Sequence, residues 1–118
     1  VWVPGSGVER SPDVGTWAVL TLHGEIDLAA CPLVREAVDE LAAAGRGQVV
    51  WDLGGVSFMD SAGLGTLVYA MRSAEARQGS VRLAGAGIQV RRLLELTGLE
   101  QVFGMYPDVA AATAPTAG

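Results

Sequence analysis

The chain has 118 residues, half of them hydrophobic, with 13 acidic residues against 8 basic ones and a formal net charge of −5. That length fits one small domain with a real core, and a second domain is not expected. The acidic balance argues against direct nucleic-acid binding, no apolar run nears the ~20 residues of a membrane span, and the single cysteine, Cys31, has neither a disulfide partner nor metal-ligand companions.

Such cysteine usage suits a reducing compartment. The first fifteen residues hold no continuous apolar region of the secretory kind. A cytoplasmic protein is therefore expected. No cofactor and no metal site is read from the sequence.

Val1 to Gly15 is rich in Gly, Pro and Ser, and Pro4, Gly5, Gly7, Pro12 and Gly15 predict turns. Residues 1–15 read as a flexible segment, with Val1, Trp2 and Val3 as a candidate edge strand. Thr16 to Leu22 is a predicted strand bounded by Gly15 and Gly24. The element His23-Gly24-Glu25-Ile26-Asp27 follows. Gly24 suits a backbone turn or a close approach, and Asp27 is placed to cap what comes next. His23 is the only histidine, and a metal site ordinarily needs more ligands than it can bring together.

Ala29 to Ala44 predicts a helix with Leu33, Val34, Ala37, Val38 and Leu41 as its apolar stripe. Pro32 suits its first turn, and Gly45 is its expected stop. Gln48 to Leu53 reads as the next strand, interrupted by Gly54 and Gly55, with Val56, Phe58 and Met59 adding apolar residues before Asp60.

After Ser61 the period changes. Leu64, Leu67, Val68 and Met71 fall on one helix face, predicting a helix from Ser61 to about Arg77 with Gly79 as its stop. Either Asp60 or Ser61 can be its N-cap. Gly63 and Gly65 cost about 1 kcal/mol each against alanine inside a helix, so something needs close access there: the facing sheet or a docked protein. A helix start favours an anion, and a phosphate on Ser61 would add roughly −1.5 to −2 charges. An ordinary capping serine is the alternative reading.

Ser80 to Ala84 predicts a short strand and Ile88 to Thr97 a third helix, with Val90, Leu93, Leu94 and Leu96 inward and Gly98 ending it. Gln101 to Met105 is the expected last strand. Pro107 to Ala112 reads as a final helical turn with Asp108 near its start, and residues 113–118 as a disordered tail. Strands alternating with helices argue for a largely parallel sheet. Asp27 and Asp60-Ser61 both fall beyond strand ends, where sites in such sheets gather.

The stretch FMDSAGLG after an apolar strand resembles the hallmark of the STAS domain, in particular the bacterial anti-sigma factor antagonists. GEID upstream and LLELTGLEQVF downstream resemble that family too, so the likeness spans roughly residues 16–112. It implies an α/β fold, a single STAS-like domain with a mixed or mostly parallel four- to five-stranded sheet and interspersed helices. It implies that Ser61 is phosphorylated by an anti-sigma factor that is also a serine kinase, and that a serine phosphatase reverses this. It places Asp27, Asp60, Ala62, Gly63, Leu64 and Gly65 on the partner surface. The unphosphorylated form would bind the anti-sigma factor and release a sigma factor. Many members carry Ser or Thr where this chain has Ala62, which removes a second acceptor and leaves the first.

Two other readings compete. A serine at a strand-to-helix turn suits a hydrolase nucleophile, but that pattern needs glycine two residues earlier, where Met59 stands, and a base, for which only His23 is available. A P-loop is excluded because the chain has no lysine. A STAS domain can also serve in a transport or stress-sensing complex without a phosphate cycle, since fold does not fix function. The sequence leaves the oligomeric state open.

Overall fold

The computed structural model describes residues 7–115. Five strands, β1 (Gly7–Val14), β2 (Trp17–Ile26), β3 (Gln48–Met59), β4 (Ser80–Ala84) and β5 (Gly104–Tyr106), form one sheet in that spatial order. β1 runs antiparallel to β2, and the other neighbours are parallel. The helices are α1 (Cys31–Ala43), α2 (Ser61–Glu75), α3 (Ile88–Thr97) and α4 (Val109–Thr113), with a 3-10 turn at Leu99–Gln101.

The parallel strands follow one another in a single direction. Right-handed crossovers then bring α1, α2 and α3 to the same face of the sheet. Alternation along the strands supplies the matching apolar surface. Ala18, Leu20 and Leu22 of β2, Val49, Trp51 and Leu53 of β3, and Val81 and Leu83 of β4 form one buried core with Val34, Val38 and Leu41 of α1, Leu67 and Ala70 of α2, and Val90 and Leu94 of α3. The opposite phase, Trp17, Val19, Val50 and Ala84, meets Ala112 of α4 on the other face. There Arg82 lies 4.3 Å from the Trp17 ring centre and 5.2 Å from that of Tyr106, and it donates to the Ala112 carbonyl at 2.7 Å.

The expected single α/β domain with a mixed sheet is what forms, and α3 has its expected bounds, closed by Gly98 at φ +77°. Five local expectations are corrected. The Gly/Pro-rich segment read as turns contains β1, whose ladder runs from Gly7↔His23 to Val14↔Trp17. It is an edge strand with mostly exposed side chains, so it lacks the alternation that betrays a half-buried strand. Pro12 falls in the register irregularity between Ser11 and Val14, where its missing N–H leaves no gap in the ladder. The proposed strand at Val1, Trp2 and Val3 lies outside the described residues, as do residues 116–118.

Gly54 and Gly55 do not break β3. The strand continues to Met59, and its register against β2 shifts between Thr21 and His23 and again between Gly24 and Glu25, with one extra β3 residue each time. Nor does Gly24 bound β2, which runs on past the expected end at Leu22 to Ile26; Gly24 takes φ +78° at the second shift, so the strand passes it at a bulge. The last strand begins later than Gln101, because Leu99–Gln101 closes as a 3-10 turn. Finally, Leu33 and Leu96 were expected inward. Leu33 is 53% exposed and Leu96 87% exposed, because each helix meets the core along one line, Val34-Val38-Leu41 in α1 and Val90-Leu94 in α3, and these two leucines lie off it.

Candidate functional site

The ends of β2 and β3 lie side by side, with Ile26 opposite Met59. The next residues, Asp27 and Asp60, therefore leave the sheet from adjacent strands at its carboxyl edge, where α/β folds place their sites.

Asp60 is the N-cap of α2. Its backbone is extended, its Oδ1 accepts from the Gly63 amide at 3.0 Å, and its carbonyl accepts from the Leu64 amide at 3.0 Å. The choice between Asp60 and Ser61 as cap is thus settled in favour of Asp60. Ser61 becomes the first helical residue, and it is exposed. The helical ladder supplies no acceptor for the amides of Ser61 and Ala62, so an anion on the Ser61 hydroxyl would meet the positive end of α2.

Asp27 is half-buried. Its Oδ1 and its carbonyl oxygen both accept from the Ala30 amide, at 3.2 and 3.1 Å. The Cys31 thiol donates to the same carbonyl at 3.2 Å. Asp27 therefore shapes the turn before α1 but does not cap it as expected: the N-cap is Ala30, which has no side-chain cap bond. Burial pushes the Cys31 thiol up from its ordinary pKa, and the negative charges of Asp60 and then Asp27 add to the rise. The thiolate is the reactive form. A small alkylating reagent at pH 8 is expected to modify Cys31 at least tenfold more slowly than free cysteine, and Asp60→Asn should narrow that gap. The rates can be followed by mass spectrometry.

The other proposed contact residues divide. Gly65 is exposed and Ala62 half-buried. Gly63 and Leu64 are buried and cannot offer side-chain surface to a partner. A Cβ on Gly63 would lie 2.3 Å from the Ile26 carbonyl oxygen and 2.8 Å from Met59 Cγ. At Gly63 the close access belongs to the facing sheet. A Cβ on Gly65 would meet nothing within 4 Å, so the fold itself places no demand there. Thr66 donates to the Gly63 carbonyl at 2.6 Å and locks this first turn from inside.

His23 sits elsewhere. It pairs with Gly55 on β3 and its ring lies against Gly7 of β1. Among the described residues no hydrogen bond joins it to Ser61. Among the same residues there is no group of three or more His, Cys, Asp or Glu placed to hold a metal, and no helix is long and apolar enough to cross a membrane.

Sequence reasoning missed several residues around this edge. Leu28, next to Asp27, is 75% exposed, and Ile88 at the start of α3 is 69% exposed. Phe58, read only as strand filling, is also exposed. Leu28 had a signal: it is a large apolar residue outside the α1 stripe. Gln89 had none. Its side-chain amide binds both backbone polar groups of Met59, the residue before Asp60.

Residues 7–112 match the family described as the STAS domain, and the chain belongs to that family. Within it, the chain is 42% identical over 80 residues to an anti-sigma-B factor antagonist of Listeria monocytogenes, covering 67% of this chain and 69% of that protein. An anti-sigma factor antagonist from Mycobacterium paratuberculosis has a similar structure, with TM-score 0.82, 27% identity and 95% of each chain covered. The Bacillus cell fate determinant SpoIIAA in its phosphorylated form matches with TM-score 0.72 and 25% identity, over 90% of this chain and 96% of that one.

Proposed function

We propose that this protein is an anti-sigma factor antagonist working as a phosphate-controlled binding module in the cytoplasm. Unmodified, it docks an anti-sigma factor with serine kinase activity on the edge carrying Asp27, Asp60, Ser61, Ala62 and Gly65, and so frees a sigma factor. Phosphate on Ser61 ends the complex, and a serine phosphatase restores it. No direct contact with nucleic acid or membrane and no catalytic residue of its own is invoked. One observation carries the reading. Asp60, rather than Ser61, caps α2, so the Ser61 hydroxyl stands exposed and uncommitted at a helix start, directly after Asp60 and on the sheet edge that Asp27 also leaves. Relatives that are anti-sigma factor antagonists support the assignment.

The protein recovered with a tag from its native host tests this. Phosphate mapped to Ser61, with an ATPase of the histidine-kinase type co-purifying only with the unmodified form, is the expected result. Ser61 unmodified in every growth condition, with membrane-transport subunits bound instead, would return Ser61 to a purely structural place in α2.

The exposed apolar side chain beside Asp27 belongs to the same surface. An interface core gains from buried aliphatic anchors surrounded by polar groups. Leu28→Ala is expected to weaken anti-sigma factor binding about tenfold, roughly 1.4 kcal/mol, with thermal stability unchanged because Leu28 is so exposed. Calorimetric titration beside a melting curve separates the two effects.

A further inference from the structure

The end of β3 is supported unequally on its two sides. On one side β2 keeps pairing to the last residue, Ile26↔Met59. On the other, the last β3–β4 pair is Asp52↔Ala84, and the chain turns away at Gly85 with φ +69°. Seven residues of β3, Leu53 to Met59, run on past that pair. At the far end Gln89, in the first turn of α3, takes the place of the missing strand. Its Oε1 accepts from the Met59 amide at 2.8 Å, and its Nε2 donates to the Met59 carbonyl at 2.7 Å. The two bonds fix which way the amide faces, since the backbone N–H requires the oxygen and the backbone carbonyl requires the nitrogen.

We infer that Gln89 is a positioning residue for Ser61: its side-chain amide closes the open side of β3 at Met59 and thereby holds the Asp60-Ser61 turn in the place where a kinase meets it. This rests on the reading of Ser61 as the phosphate acceptor. Met59 is clamped between Ile26 and Gln89 with its side chain fully buried, and the next two residues are the cap and the acceptor. Transfer to a hydroxyl depends steeply on its placement against the reacting phosphate. Most of the docking surface, in contrast, is not held by Gln89: Asp27 and Leu28 follow β2, and Ala62 and Gly65 belong to α2, which Asp60 still caps. Loss of the clamp therefore lowers kcat for Ser61 phosphorylation and leaves KM nearly as it was.

The test uses the full chain, labelled with 15N, and two variants. Gln89→Leu keeps similar bulk without polar atoms. Gln89→Glu keeps an acceptor for the Met59 amide and loses the donor to its carbonyl until the new carboxyl is protonated. Amide exchange at Met59 and Gly63 is compared with exchange at Leu20 in the core, and phosphorylation is followed with the kinase that co-purifies with the wild-type chain. In Gln89→Leu, exchange at Met59 is expected to rise at least tenfold relative to Leu20, and kcat to fall at least tenfold with KM within twofold. In Gln89→Glu, Met59 protection should recover as pH falls through the carboxyl range, once intrinsic rates are corrected, with no such recovery in Gln89→Leu.

Exchange at Met59 within twofold of wild type in Gln89→Leu overturns the clamp. Faster exchange with unchanged kcat overturns the positioning role. A wild-type chain that accepts no phosphate overturns the acceptor reading instead, and is told apart because the exchange comparison needs no kinase.

Discussion

Ser61→Ala is expected to bind the anti-sigma factor as tightly as the unmodified protein and to stay bound when ATP is added, whereas Ser61→Asp binds at least a hundredfold more weakly. The magnitude follows from the charge already present. Asp60 is the neighbouring residue, and Asp27 leaves the adjacent strand. A third negative group at this edge must be desolvated against a docked surface that has accommodated the first two. Like charges brought together at an interface cost several kcal/mol, and a hundredfold loss needs only about 2.7 kcal/mol. True phosphate carries more charge than aspartate and three acceptor oxygens, so the phosphoprotein should bind more weakly still.

The same substitutions should barely change the fold. Ser61 is exposed, its hydroxyl is not the cap, and the α2 amides favour an anion there. Melting temperatures of the two variants within a few degrees of each other, with binding separated by orders of magnitude in calorimetric titration, would establish a surface switch. Equal binding by both variants would remove it.

The parts of this molecule that could be read in advance are those where local chemistry and tertiary position agree. The change of period after Ser61 and the glycine after Thr97 mark α2's start and α3's end, because caps are satisfied by residues a few positions away. Asp27 and Asp60 were legible as strand-end residues for the same reason. β1 was not. An edge strand with a polar sequence and a proline has no periodic signature, and its pairing depends on β2 lying beside it. The exposure of Leu33 and Leu96 depends on which neighbours cover each helix, which spacing alone does not fix. Gln89 is the extreme case. Its role exists only because β4 stops at Ala84 while β3 continues, a mismatch in strand length that appears once the sheet is assembled.

The two glycines of α2 separate what the fold needs from what a partner needs. Gly63→Ala forces a methyl group to within 2.3 Å of the Ile26 carbonyl oxygen and 2.8 Å of Met59 Cγ. The first obstacle is backbone, so α2 must lift from the ends of β2 and β3. Overpacking of this kind costs about 3 kcal/mol, well beyond the gain of less than about 1 kcal/mol in helix propensity. A loss of 2 kcal/mol or more in urea unfolding is expected, and binding should fall with it as the lifted helix carries Ala62 and Gly65 away from Asp27 and Leu28. Gly65→Ala has no such obstacle, with nothing within 4 Å of its added carbon. It should raise stability by about 0.5 kcal/mol through propensity alone. If a docked protein approaches the helix closely at Gly65, the same methyl should weaken binding at least fivefold. Stability and affinity then move in opposite directions in one variant, which a purely structural glycine cannot produce. Gly65→Ala that is more stable and binds as well as the parent would show that the partner passes this turn at a distance, and would confine the docking edge to Asp27, Leu28, Asp60 and Ser61.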